Sequence, residues 1–292
     1  VIKINDETFK ISSNIDLLEN SIIKENEKFI FEKNISINIL NNSTLMIEGK
    51  VDFVNDEKNL TKIFSEDGSG SIIFNKNIYN LENLIFTNLS KPNLTNYILY
   101  GGVNFINSNV NLNNIYIQNS NNEDGINIIN SKSYVSNIYF ENMKADAFDL
   151  DFGELNFSNI VCNNVNNDCL DVSGAKVLGE NLLSKNTFDK GVSVGENSDL
   201  KITNIKTLNN NVGLAVKDGS HAILENVEFD KNNFDILVFN KKQEFSKPSL
   251  TVNNLNIINK KKILQSQGTK LVINDKNFLG KLKDDFINSI IY

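Results

Sequence analysis

Five consecutive blocks of 22 residues run through the middle of the chain without a gap: 131–152, 153–174, 175–196, 197–218 and 219–240. Each closes on a short strand-like phrase: DAFDLDF, DCLDVSG, KGVSVGE, VGLAVKD and FDILVFN. A strand-rich period in the low twenties restricts the chain to a solenoid, in which each coil buries its apolar positions against the next. A second phrase keeps the same beat. It runs Asn, aliphatic, any residue, a usually apolar or small residue, any residue, Asn. It reads Asn83-LIFT-Asn88, Asn114-IYIQ-Asn119, Asn137-IYFE-Asn142, Asn159-IVCN-Asn164, Asn181-LLSK-Asn186, Asn204-IKTL-Asn209 and Asn254-LNII-Asn259. Asn226-VEFD-Lys231 is a further copy by position, with its Asn one place later at Asn232. From Asn114 to Asn226 the steps are 23, 22, 22, 23 and 22 residues. The steps of 31 and 28 on either side place insertions near 89–101 and 240–249, each holding one of the two prolines, Pro92 and Pro248.

The residue types choose among solenoids. A leucine-rich repeat would show a fixed Leu frame. Here the repeats are Asn-rich and β-branched, with few helix formers in register. Aligned Asn side chains at a bend can hydrogen-bond up the stack and satisfy turn backbone. The reading is therefore all-β: a parallel β-helix of about 22 residues per coil, with coils about 4.8 Å apart. A single domain spans 1–292, with an N-terminal cap in 1–30, coils over 30–275 and a C-terminal cap in 276–292. In that last segment Phe278, Leu279, Leu282, Phe286 and Ile287 lie at helical spacing, which predicts a short helix plugging the last coil. Strand alternation points Phe148, Leu150, Leu170, Val172, Val192, Val194, Leu214, Val216, Ile236 and Val238 inward.

Composition removes several function classes. The formal charge of −7 opposes a nucleic-acid surface. No apolar run reaches the 18 residues of a transmembrane helix. A chain that starts at Val1 without Met fits a mature secreted protein or a fragment of a longer one. Cys162 and Cys169 fall on different faces of the coil, so two free thiols are expected, with Cys162 as core filler. The one histidine, His221, sits at a coil boundary as an exposed turn residue, which leaves no Ser/His/Asp or Cys/His triad.

Aligned blocks bring polar columns into view. The position opening the final strand holds Asp124, Asp146, Asp168 and Lys190 in successive coils. Three residues on stand Asn127, Asp149, Asp171 and Ser193, and two further on Asp151, Ser173, Gly195 and Lys217. Glu196 and Asp218 close their blocks. The column Gly125, Ala147, Cys169, Gly191 and Gly213 is small, as if to let a ligand approach the backbone. Stacked carboxylates about 5 Å apart repel, and a shared proton, a cation or an ammonium would relieve them. A shared proton sets a general acid beside a base. Calcium would suit the oxygens of Asp149, Asp151 and Asp171. The plainer alternative is an acidic, solvated face with Asp residues as turn formers.

The phrases EDGINII (123–129), ADAFDLDF (145–152), NNDCLDVSG (166–174), DKGVSVGE (189–196), VGLAVKD (212–218) and FNKKQEF (239–245) are similar to bacterial right-handed β-helix repeat proteins. Over roughly residues 30–250 the chain resembles the secreted, right-handed parallel β-helix proteins of the pectin-lyase-like superfamily. A looser resemblance is to the polygalacturonases. It implies a site with Asp146 at their first Asp, Asp168 in their Asp pair, Lys190 at their His and Lys217 at their final Lys. Asn167 and Ala215 depart from that pattern, at an acid and an Arg position.

Two expectations follow. One is a carbohydrate-active enzyme working on a polysaccharide along the outer strand face. As a hydrolase it would use Asp168 or Asp171 as acid and Asp146 or Asp149 as base or nucleophile. As a uronate lyase it would use Lys190 or Lys217 as base, with calcium neutralising the substrate carboxylate. Asp124, Asp151, Ser173, Ser193, Glu196 and Asp218 would bind substrate. The other expectation is a non-catalytic β-helix, a surface adhesin or a module that binds glycan or protein.

Overall fold

A computed structural model describes residues 2–94, 98–255 and 262–279. Among these residues the chain forms an 11-stranded sheet, a 14-stranded sheet and, at the N-terminal end, a 4-stranded sheet. Pairing between coils is parallel and in register: Phe148 stands on Leu170, Leu170 on Val192, Val192 on Leu214 and Leu214 on Ile236. Each repeat passes once through the 11-stranded sheet, as in Asp146–Asp151 or Lys190–Gly195. It then enters the 14-stranded sheet as one long bent strand, as in Lys132–Met143, or as two pieces, Glu154–Phe157 and Ile160–Val165. Like side chains stack at the coil spacing: the rings of Phe74 and Phe105 lie 4.7 Å apart, and those of Tyr116 and Tyr139 5.0 Å.

The Asn phrase marks corners. Asn83, Asn114, Asn137, Asn181, Asn204, Asn226 and Asn254 all have φ between 53° and 61°. So do Asn88, Asn119, Asn142, Asn164, Asn186 and Asn209 at the far end of the same phrase. Asn tolerates this left-handed region better than any residue except Gly, so it is the economical choice where the chain must turn. Its amide then serves the stack: Asn204 donates to Asn181 at 3.0 Å and Asn226 to Asn204 at 3.0 Å. On the second ladder Asn164 donates to Asn142 at 3.2 Å and Asn209 to Asn186 at 2.8 Å. In the irregular copy the corner is Lys231, with φ 57°. Asn232 leaves the ladder and is buried, donating to Thr207 Oγ1 at 2.8 Å.

The inward positions are as the alternation requires. Phe148, Leu150, Leu170, Val172, Val192, Val194, Leu214, Val216, Ile236 and Val238 are all buried in one continuous core. Burying an aliphatic side chain of this size contributes about 1.5–3 kcal/mol. Because each coil touches only its neighbours, that gain is local and additive along the axis.

Three expectations need correction. The coil stack begins earlier than residue 30: Thr8–Ile11 pairs in parallel with Lys28–Phe31, and Ile15–Leu17 with Ser36–Ile39. At the other end Lys276–Asn277 is a strand, antiparallel to Lys270–Ile273. The predicted helix otherwise falls on 280–292, outside the described residues.

The third concerns the cysteines. Cys162 and Cys169 form a disulfide with Cα atoms 5.8 Å apart, and neither is free. Cys162 lies in the 14-stranded sheet and Cys169 at the bend directly before Leu170–Ser173 of the 11-stranded sheet, and both are buried in the core at that corner, where they meet. The bond closes a short loop, 163–168, that delivers Asp168 to its strand. Replacing both cysteines by alanine is expected to lower unfolding free energy by about 2–3 kcal/mol, read as a shifted midpoint in chemical denaturation.

Candidate functional site

The columns expected on the outer face of the 11-stranded sheet are in register, but they are not the exposed patch expected: Asp124, Asn127, Asp146, Asp168, Lys190 and Ser193 are buried, and Asp149, Asp151, Asp171 and Ser173 are half-buried. Asp124 stands on Asp146, and Asn127, Asp149, Asp171, Ser193 and Ala215 form one row. Asp151, Ser173 and Gly195 form the next. Asp146, Asp168 and Lys190 continue the first row as a chain of backbone contacts. The Asp168 N–H donates to Asp146 Oδ1 at 2.7 Å, and the Lys190 N–H donates to Asp168 Oδ1 at 3.0 Å.

At the end of that chain sits a buried ionic cluster. The Lys190 ammonium lies 3.2 Å from Asp168 Oδ1 and 3.4 Å from Oδ2, and it also pairs with Asp189. Lys190 is 4% exposed and Asp168 2%. Asp189 was not among the expected residues, because it precedes the strand and so lies off the aligned columns. An Asp directly before a buried Lys was the signal that could have marked it.

The electrostatics divide the carboxylates. Burial, reinforced by Asp168 and Asp171, pushes Asp146 up to about 9. Burial, with Asp124, Asp151 and Asp171, pushes Asp149 up to about 10. Burial, with Glu123 and Asp151, raises Asp124 to about 8. Burial raises Asp151 as well, against the hydrogen bond from Asn127. Asn127 Nδ2 donates to Asp149 Oδ2 at 2.6 Å. Asp168 is different. Burial raises it too, but the Lys190 ammonium pulls it back, to about 6. Lys190 itself stays above the ordinary lysine value: burial opposes its charge, and Asp168 and Asp189 outweigh burial.

Burial thus favours a proton on Asp146 and Asp149, whereas the Lys190 ammonium favours the charged form of Asp168. Lys190 is a locked ammonium with no lone pair, so the lyase role expected of it does not suit its surroundings. Lys217 remains on the patch. Its side chain runs past Gly195, where a Cβ would meet its Cε at 3.4 Å, and its charge reaches Asp168.

Other expected residues are engaged elsewhere. Asp218 is buried and accepts the N–H groups of Lys241 and Lys242 at 2.7 and 2.8 Å. Glu196 pairs with Lys242. Both therefore anchor the insertion that begins near residue 240. Ser173 is half-buried beside Asp151, and Ser193 is buried with no partner for its hydroxyl among the described residues.

The small column does not face outward. A Cβ on Gly191 would meet the side chains of Thr207 and Asn210, and one on Gly213 would meet the Phe229 ring at 2.7 Å. Ala147 and Cys169 are fully buried. These residues are small because the core of the adjoining sheet crowds them. His221 is exposed, with Nδ1 2.8 Å from Ser249 Oγ.

No family model matches the chain, and no curated protein matches it in sequence. Among solved structures it is similar to the full-length tailspike protein 2 of Escherichia coli O157:H7 bacteriophage CAB120, with a TM-score of 0.54 and 10% identity. That match covers 92% of this chain and 42% of the tailspike. The chain has a parallel β-helix fold. Weaker similarities are to an alginate lyase from Paenibacillus sp. str. FPU-7, with a TM-score of 0.35, 9% identity and coverage of 92% and 95%. Another is to the catalytic domain of a GH87 alpha-1,3-glucanase, with a TM-score of 0.36, 16% identity and coverage of 94% and 62%. At such identities the likeness speaks for the fold alone.

On this β-helix the calcium set was Asp149, Asp151 and Asp171. Among the described residues no three acidic, His or Cys side chains are disposed to hold a metal ion. No step below is routed through a metal.

Proposed function

We propose that this β-helix acts on a polysaccharide lying along the outer face of the 11-stranded sheet, as a hydrolase. The observation that carries the reading is a graded acid row. Burial favours a proton on Asp146 and Asp149, one coil from an Asp168 that accepts from the Lys190 ammonium at 3.2 Å. Glycosidic cleavage needs that pair, a carboxylic acid for the leaving oxygen and a carboxylate for water or the anomeric carbon. The half-buried Asp151, Asp171 and Ser173 would line the chain's path. Lys217 keeps the lyase version open as a base for a uronate substrate. The buried disulfide supports an oxidising compartment, and so secretion or display at a cell surface.

The test is turnover on a panel of neutral and uronate polysaccharides, followed by new reducing ends and by unsaturated uronates. Asp168→Asn is expected to cost at least about a hundredfold with the melting transition retained, and EDTA to leave the rate unchanged. If wild type and Asp168→Asn release the same trace of product from every glycan, the catalytic reading fails.

A second reading rests on the depth of Asp168 and Lys190. A cluster this buried could hold two coils together in a non-catalytic adhesin or glycan-binding module. Saturable glycan binding without any product would select it.

A further inference from the structure

A third corner follows the strand of the 11-stranded sheet in seven successive coils. Its residues have positive φ: Lys76 (55°), Asn107 (50°), Asn130 (46°), Phe152 (54°), Gly174 (61°), Glu196 (59°) and Asp218 (51°). Asn and Gly accept this conformation easily. A Phe does not, and a bulky residue there is a strained outlier that tends to mark function. Strain of this kind persists only where something else selects it.

Packing does not select it. Phe152 is 63% exposed, although it follows directly on Asp151 of the acid row. Its ring lies over the next coil at Gly174, where an added Cβ would sit 2.7 Å from Cδ1. The glycine thus clears a seat for the ring. The asparagine ladder of this corner, in which Asn130 donates to Asn107 at 2.6 Å, stops where Phe152 begins. The ring borders a shallow groove of about 680 Å³. Its walls bring together Lys76, Asn107, Asn130, Lys132, Glu154 and Lys176. Three ammonium groups against one carboxylate make the groove basic, around the corner from the acid row. Lys132 and Glu154 pair at 3.4 Å, and Lys176 stands in register between Glu154 and Asp199, so the groove keeps a net positive charge with Lys76 at its far end.

We propose that this groove is a binding subsite for an acidic sugar, with the Phe152 ring as the platform on which a pyranose face stacks and Lys76 and Lys176 as partners for its carboxylate. An exposed aromatic face offers apolar area to the C–H face of a sugar, and its edge stays wet. The lysines supply charge complementarity and speed encounter with an anionic chain. The subsite rests on the reading that the chain handles a polysaccharide. It narrows that substrate to one containing uronate.

The test is calorimetric titration of a uronate hexasaccharide, and of a neutral glucan hexasaccharide as comparator, into the full chain carrying Asp168→Asn to stop any turnover. Adding Phe152→Asn places at the corner the residue two neighbouring coils use. It is expected to weaken uronate binding by about tenfold or more while the melting temperature stays level or rises, since the strained residue is gone. Phe152→Trp should keep binding within about threefold. Lys76→Gln with Lys176→Gln should remove the preference for uronate over glucan. Undiminished binding by Phe152→Asn overturns the proposal. So does a lowered melting temperature in that variant, which would make the ring a packing element, and so does a parent that binds no uronate oligomer. The outcomes separate from those of catalysis: Phe152-dependent binding without turnover by the wild type sinks only the hydrolase. Turnover with unaltered binding by Phe152→Asn sinks only the subsite.

Discussion

Lys190→Met is expected to cost about 3–5 kcal/mol of folding stability at pH 8. The ammonium is the shared counter-charge of Asp168 and Asp189, and all three side chains are buried. Methionine fills a similar volume but leaves two carboxylates facing each other out of water. One relief is available: Asp168, already raised to about 6, can take a proton. The loss should therefore shrink as pH falls from 8 to 5. Adding Asp168→Asn removes one of the stranded charges and should recover much of the deficit. Urea denaturation of the single and double variants at both pH values reads these differences. A Lys190→Met protein as stable as wild type at pH 8 would show that the cluster is not held together by its charges.

The whole protein should also lose stability as pH rises from about 5 to 9. Asp124, Asp146 and Asp149 titrate in the fold near 8, 9 and 10, and in the unfolded chain near about 3.9. Between those limits the native state binds more protons than the unfolded state, so stability falls with each step up in pH. Each unit of displacement is worth about 1.4 kcal/mol, and because the three groups interact their contributions do not sum. A total of several kcal/mol is expected. The opposite class, carboxylates held low, acts outside this window. Asp56, held at about 2 by hydrogen bonds from Lys33 and Asn59, is ionised in both states by pH 5. Lys190 loses its contribution only at strongly alkaline pH, because its folded value lies above the ordinary lysine range. The melting temperature should thus be higher at pH 5 than at pH 9, and Asp146→Asn should flatten that slope by raising the alkaline end. Its amide oxygen can still accept the Asp168 N–H. A melting temperature that climbs toward pH 9 would mean that the acid row is ionised and solvated.

The coil was legible because its causes are local. A turn that needs φ near 55° selects Asn, and a core that repeats every coil selects aliphatics in step, so Asn83-LIFT-Asn88 and its copies announce both corners and the strand between them. The acid rows followed from the same register. Two things did not. The proton assignments turn on depth: Asp146 and Asp168 occupy equivalent positions, and only the Lys190 ammonium, reaching back one coil, separates them. The disulfide turns on a corner: Cys162 sits in one sheet and Cys169 at the bend just before a strand of the other, and periodicity says nothing of how sharply two sheets meet. Phe152 was hidden differently. It looked like the end of an apolar phrase, and only the neighbouring Asn130 and Gly174 reveal how foreign a Phe is at that corner.

The sulfur bridge lies within one coil and not between coils. If the two ends of the molecule were pulled apart, as on a particle gripping a surface, it would carry none of the load. Resistance would come from ranks of backbone hydrogen bonds and amide ladders giving way coil after coil. A tether on this scaffold would then lengthen in steps of one repeat. The bridge would instead keep a detached coil from losing its corner, and so favour its return to the stack.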